Sequence, residues 1–245
     1  MITVVNVHKK LGDQEVLRGV NIHFTRGETH VILGRSGCGK SVLLKHLVGL
    51  FYPDSGQIIV DGENISHLRE RQLGPIRKKV GILFQSGALF DSMNVAENIA
   101  FPLRESGIHD PKILKERVAE ALEMVDLSGE ELKMPENLSG GMRKRVGLAR
   151  TIVSRPACIL YDEPTTGLDP IATDSINHLI RRLQRRLNAT SVVVTHDMKT
   201  AFHTANRISF LHEGQTYFEG TPDELKNTTD PVLRDFIEGN SHESD

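Results

Sequence analysis

Apolar positions along the chain follow a strand period at both ends and a helix period in the middle. Ile2-Thr3-Val4-Val5-Asn6-Val7 reads as a strand. It opens a series of short strand-like runs between Ile2 and Leu33, parted by turns at Gly12-Asp13 and Arg26-Gly27-Glu28. Thr29 to Leu33 is a short apolar run that leads through a glycine-rich turn into a helical pattern from Val42 to Val48. Pro53-Asp54-Ser55-Gly56 predicts a turn, and Gln57 to Val60 with Asp61-Gly62 predicts a hairpin. Val80 to Phe84 predicts a buried strand. From Ser86 to about Ser154 the period is helical: Pro111 starts a run that puts Ile113, Leu114, Val118, Ala121, Leu122 and Val125 on one face, and another helix begins near Ser139. Beyond Pro156 strands and helices alternate: Cys158 to Tyr161, a helix over about Thr173 to Leu187, Val192 to Val194, a helix near Thr200, and Arg207 to Leu211, with Glu213-Gly214 turning a last hairpin. Such alternation predicts an α/β fold with a mostly parallel core sheet, interrupted by a helical insert.

Composition narrows the class. The chain has 245 residues, 30 Lys and Arg against 32 Asp and Glu, and a net charge of −2, which gives no general attraction to nucleic acid or an anionic membrane. Arg181, Arg182, Arg185 and Arg186 form a basic stripe, but Ile176, Leu179, Ile180, Leu183 and Leu187 line the other face of the same helix, so the arginines read as its solvated side. No apolar run has the length of a membrane span, and the N-terminus lacks the pattern of a signal peptide. These features predict a soluble, cytosolic protein that reaches a membrane only through a partner. Cys38 and Cys158 occupy positions unsuited to a bridge and predict free thiols in a reducing compartment. The histidines show no metal-ligand spacing.

The candidate chemistry begins at Gly34-Arg35-Ser36-Gly37-Cys38-Gly39-Lys40-Ser41, which fits G-x-x-x-x-G-K-S between a strand and a helix. The glycines let backbone amides approach phosphate oxygens, and the helix N-terminus adds its positive dipole end. Lys40 is positioned to reach the β- and γ-phosphates and Ser41 to bind Mg²⁺, with Val42 opening the helix. Cys158-Ile159-Leu160-Tyr161-Asp162-Glu163-Pro164 is an apolar strand ending in two carboxylates. Asp162 suits the magnesium shell, and Glu163 suits polarisation of the attacking water.

Leu138-Ser139-Gly140-Gly141-Met142 then resembles the signature turn of ATP-binding-cassette (ABC) ATPases. Gln85 resembles their Q-loop glutamine, Thr166-Gly167-Leu168-Asp169 their D-loop, and His196, after Val192-Val193-Val194-Thr195, their switch histidine. The resemblance covers nearly the whole chain. It implies a P-loop NTPase of the ABC type over residues 1–239, with an N-terminal antiparallel β-subdomain, an α/β core at about 1–85 and 155–239, and a helical subdomain at about 86–154; residues 240–245 read as a disordered tail. It also implies a homodimer with composite sites, in which ATP lies between Lys40 of one copy and Ser139, Gly140 and Gly141 of the other, with Asp169 alongside. Glu163, His196, Lys40 and Gln85 would be the catalytic group, and Ser41, Gln85 and Asp162 would hold Mg²⁺. Leu11 takes the place where the family usually stacks an aromatic residue on adenine, and Met142 stands where Gln is usual.

Further residues narrow the resemblance to one branch. Val42 after Ser41, Ser86-Gly87-Ala88-Leu89-Phe90-Asp91-Ser92, Val95-Ala96-Glu97-Asn98, Phe101-Pro102-Leu103 and Met142-Arg143-Lys144-Arg145-Val146 are similar to the ATPase of Mla/Mce-type phospholipid transporters. That implies a multispanning permease docked on a groove at Ser86–Arg104, with Phe84, Leu89, Phe90 and Phe101 as apolar contacts. It further implies an Mce-class substrate-binding protein and a place on the cytoplasmic face of the inner membrane. The alternatives are an ABC ATPase for another substrate, or a soluble clamp on nucleic acid; the segment from Ser41 to Leu138 lacks the sustained heptads of DNA-repair clamps.

Overall fold

The computed structural model describes residues 1–240; the rest of the predicted tail, 241–245, lies outside the described residues. Long strands β1 (Ile2–Leu11) and β2 (Gln14–Phe24) pair antiparallel and precede β3 (Thr29–Leu33) and helix α1 (Lys40–Leu47). Next come β4 (Ser55–Val60), β5 (Glu63–Asn64), α2 (Glu70–Lys79) and β6 (Val80–Leu83). Helices α3 (Val95–Glu105), α4 (Pro111–Met124) and α5 (Gly140–Ile152) follow and pack on one another. The chain continues through β7 (Cys158–Asp162), α6 (Pro170–Leu187), β8 (Thr190–Thr195), α7 (Met198–Thr204), β9 (Arg207–His212), β10 (Gln215–Gly220), α8 (Pro222–Lys226) and α9 (Pro231–Glu238).

Two sheets result. One is antiparallel, in the order β2-β1-β4-β5; the other has the order β10-β9-β3-β8-β7-β6, with β9, β3, β8, β7 and β6 parallel and β10 antiparallel to β9. Strand alternation divides the core between the two faces of the larger sheet. Val31, Leu33, Ile159, Tyr161 and Val193 point into a cluster shared with α3 to α6, while Ile32, Leu160, Val192 and Val194 point into one shared with α1, α2 and the antiparallel sheet. The helical block therefore shares its core with the sheet. This covering of both faces explains why β3, β7 and β8 are buried at every residue.

The structure departs from the sequence pattern in places. Residues 86–94 form no helix: Gly87 (φ 77°) and Ala88 (φ 47°) adopt left-handed conformations, and α3 starts at Val95 with Asn94 as its cap. The helix expected from Thr173 starts at Pro170, because Asp169 accepts bonds from the Ile171 and Ala172 amides at 2.9 Å and so caps it earlier. Asn240, assigned to the tail, donates its amide to the Asp235 carbonyl at 2.9 Å and closes α9.

Candidate nucleotide-binding and hydrolysis site

The turn between β3 and α1 is built by steric exclusion. A Cβ on Gly34 would lie 2.4 Å from the Leu211 carbonyl oxygen and 2.7 Å from Cys38 Sγ. Gly39 (φ 102°) ends the turn in the left-handed region and caps α1 without a side chain. Lys40 begins that helix. Its Nζ donates to the Gly34 and Arg35 carbonyls at 2.8 and 2.9 Å, which fixes a buried ammonium above the turn. Arg35, Ser36 and Gly37 are exposed, whereas Cys38 packs partly against the core, where burial pushes its thiol up and Lys40 opposes the shift.

Parallel pairing of β7 and β8 delivers the acids and the histidine to the same end of the sheet. Ser41 Oγ donates to Asp162 Oδ1 at 2.7 Å. Glu163 follows directly, with φ 47°, a conformation unfavourable for a residue carrying a Cβ. Its amide donates to the Val194 carbonyl at 2.9 Å, which ties the strained turn to β8. Glu163 Oε1 lies 3.0 Å from His196 Nδ1 and 3.8 Å from Lys40 Nζ, and Oε2 accepts from Thr166 Oγ1 at 3.1 Å. Lys144 Nζ donates to the Glu163 carbonyl at 3.3 Å; burial pulls this ammonium down, and Glu163 and Asp162 pull it back up.

Some of these groups border a cavity of about 520 Å³. Ser36, Gly37, Gly39, Lys40, Ser41 and Val42 line one side, Gln85, Glu163 and His196 another, and Leu11, 42% exposed, stands at the wall formed by the end of β1. A glycine-lined helix start, a fixed ammonium and a carboxylate beside a histidine suit a polyphosphate with its attacking water. Gln14, Val16 and Thr166 also line it; Gln14 and Val16 escaped the sequence reading. Thr166 was legible only as part of the D-loop, and Lys144 only as a basic position after the signature.

The structure does not bring the remaining residues to this cavity. Ser139 and Gly140 are exposed at the start of α5, where the Ser139 hydroxyl accepts from the Met142 amide at 3.2 Å, and Gly141 is partly exposed beside them. Asp169 is exposed and caps α6. The two turns are neighbours: a Cβ on Gly140 would meet Leu168 at 3.7 Å, and one on Gly141 would meet Ala172 at 3.9 Å.

The Q-loop segment joins the two regions. Arg150, on α5, donates to the Gly87 and Ala88 carbonyls, both at 2.8 Å, and a Cβ on Gly147 would lie 3.0 Å from the Gly87 carbonyl oxygen. The loop just after Gln85 is thus held against the helix that begins with the signature turn. On the outer side lies a second cavity of about 540 Å³, lined in part by Phe84, Phe90, Phe101 and Pro102. Phe90 and Phe101 pack in a tilted arrangement, with ring centroids 4.8 Å apart and planes at 54°, and the Arg150 guanidinium sits 5.6 Å from the Phe90 ring. Leu89, expected in this groove, instead packs against the core.

Comparison with known proteins agrees with this geometry. The ABC transporter family profile matches residues 17–166. The chain is 40% identical over 238 residues to the probable ribonucleotide transport ATP-binding protein mkl of Mycobacterium leprae, covering 97% of this chain and 69% of that protein. It is 39% identical over 241 residues to the intermembrane phospholipid transport system ATP-binding protein MlaF of Haemophilus influenzae, covering 98% and 91%. Among solved structures, the ATP-binding cassette MJ0796, a dimer in a post-hydrolysis state bound to ADP and Pi, superposes with a TM-score of 0.83 at 33% identity, covering 91% of this chain and 99% of that one. Matches of this extent show that the chain belongs to the ABC transporter family and is an ATPase of it.

Proposed function

We propose that this chain is the ATP-hydrolysing subunit of an Mla/Mce-type transporter that moves phospholipid between inner and outer membranes. One observation supports the engine: Lys40, Ser41 and the Glu163–His196 pair meet at one cavity, with Asp162 bonded to Ser41 behind it, while Ser139 and Gly140 lie exposed outside it. A second copy facing the first would bring its signature turn to the open side of that cavity. The cassette spans 1–239, with its α/β core at 1–85 and 155–239 and a helical subdomain at 86–154. The 39% identity to the phospholipid relative, over 98% of this chain, supports the cargo.

The donor set suits magnesium, because a hydroxyl and a carboxylate already meet at 2.7 Å beside the phosphate loop and Gln85 borders the same cavity. Ser41, Asp162 and Gln85 would hold it; when bound, the ion neutralises charge on the β- and γ-phosphates. Lys40 stabilises charge on the γ-phosphoryl oxygens as the bond to ADP lengthens. Glu163 orients the attacking water and accepts its proton, and His196 holds Glu163 and the γ-phosphate in register. Leu11 covers the adenine face without π-stacking.

The groove at Ser86–Arg104 receives the permease, with Phe84, Phe90 and Phe101 as its apolar contacts. The subunit then sits peripherally on the cytoplasmic face of the inner membrane, and an Mce-class protein binds the cargo elsewhere in the complex. Among the described residues no helix is long and apolar enough to cross a membrane. A second reading, ribonucleotide transport, draws on the 40% identity to the mycobacterial relative.

The deciding experiment is co-purification from solubilised membranes, identification of the partners, and reconstitution in proteoliposomes. Phospholipid transfer driven by ATP, with hydrolysis faster than in the isolated subunit, is the expected result. Ribonucleotide transport without lipid transfer would replace the cargo assignment.

A further inference from the structure

We infer that Asp174, His178 and His203 form a binding site for a transition-metal ion of the zinc class, bridging α6 to α7. Asp174 and His178 stand one turn apart on α6, with His178 Nε2 3.4 Å from Asp174 Oδ2. The rings of His178 and of His203, on α7, form a T-shaped pair with centroids 4.6 Å apart and planes at 86°. One donor atom from each of the three residues lies within 4.8 Å of the other two. His203 Nε2 is buried and has no hydrogen-bond partner.

Two imidazoles and a carboxylate are a borderline donor set that suits zinc better than magnesium or calcium, which take oxygen ligands. An imidazole whose Nε2 lacks a protein partner can give that lone pair to an ion, which removes the cost of leaving it unpaired. Three protein ligands leave room for water, and the side chains of His178 and Asp174 are 63% and 53% exposed, so an ion can enter from solvent. Arg182, one turn beyond His178, is drawn aside by donating to Asp126 Oδ2 at 2.6 Å and to the Met124 carbonyl at 3.0 Å, while Arg181, Arg185 and Arg186 border the hollow beside His178. Ligand spacing along the sequence does not reveal the site, because His203 comes from a different helix.

The location gives the site a role apart from the nucleotide cavity. Helix α6 follows the turn that contains Glu163 and Thr166, and α7 starts just after His196. An ion held by both helices cross-links the supports of the two catalytic segments without touching either.

The test uses the untagged full chain, treated with chelator and titrated with Zn²⁺ without nucleotide, by calorimetry and thermal melting. Saturable binding of one ion per chain, with a raised Tm, is expected. His178→Ala, at an exposed position that folding tolerates, should weaken zinc binding roughly tenfold or more, and Asp174→Asn should weaken it in the same direction. Absence of saturable binding would overturn the site. Equal binding by wild type and His178→Ala would also overturn it, because that is the behaviour of zinc held between Glu163 and His196 instead.

Discussion

Glu163 Oε1 lies 3.0 Å from His196 Nδ1 and 3.8 Å from Lys40 Nζ, so one carboxylate oxygen meets both the histidine and the phosphate-loop lysine. The other oxygen accepts from Thr166 at 3.1 Å. The carboxylate is therefore oriented from two sides before any water reaches it.

Glu163→Gln keeps this shape and removes the proposed proton acceptor. Turnover should fall by roughly 10²–10⁴-fold, the usual contribution of a positioned base, with ATP affinity preserved. Phosphate release measured beside equilibrium nucleotide binding checks both halves, and near-normal release would remove Glu163 from the chemistry.

Asn98 organises the loop ahead of α3. Its fully buried side chain accepts from the Phe90 amide at 2.8 Å and donates to the carbonyls of Phe90, Met93 and Asn94 at 2.9 to 3.1 Å. Asn98→Ala strands those groups away from water and should cost about 1–3 kcal/mol of stability. Denaturant titration measures the loss. Permease stimulation should fall with it, because Phe90 loses its fixed place beside Phe101.

His30 makes acid sensitivity predictable. Its ring is buried against Phe24, Nε2 pairs with Ser209 Oγ at 2.8 Å, and burial, aided by Arg207, pulls its pKa from 6.5 to about 3. The unfolded chain therefore takes up a proton that the folded chain refuses. Stability from a neutral His30 is complete above pH 6.5 and is lost as pH falls toward about 3, at up to ~1.4 kcal/mol per pH unit. A His30→Phe/Ser209→Ala double variant should flatten that slope. Denaturant titrations at neutral pH and at mildly acidic pH compare it with wild type, and an unchanged slope would assign the sensitivity to other groups.

Much of the candidate site was legible because its motifs are local: Gly34 to Ser41 carries the phosphate-loop pattern within a few residues, and Cys158 to Glu163, ambiguous alone, gains its meaning beside that loop. The parallel sheet followed from the apolar runs at β3, β7 and β8, which need no long-range information to read as doubly covered strands. What stayed hidden depends on contacts distant in sequence. Arg150 holding Gly87 and Ala88, Lys144 reaching the Glu163 carbonyl, and Thr166 bonding Glu163 leave no trace in spacing. Helix α2 escaped because Gly74 and Pro75 lie inside it and break its pattern. The start of α6 was misplaced because Asp169-Pro170 read as part of a functional loop, although the same pair is an N-cap followed by an N1 proline.

Analytical ultracentrifugation of Glu163→Gln with saturating ATP and Mg²⁺ bears most directly on the paired-copy site. The expected result is a dimer with nucleotide, a monomer without it, and loss of the dimer when Ser139→Glu is added to the same chain. A monomer at saturating nucleotide, or a dimer indifferent to Ser139→Glu, would contradict a site completed by the facing signature turn.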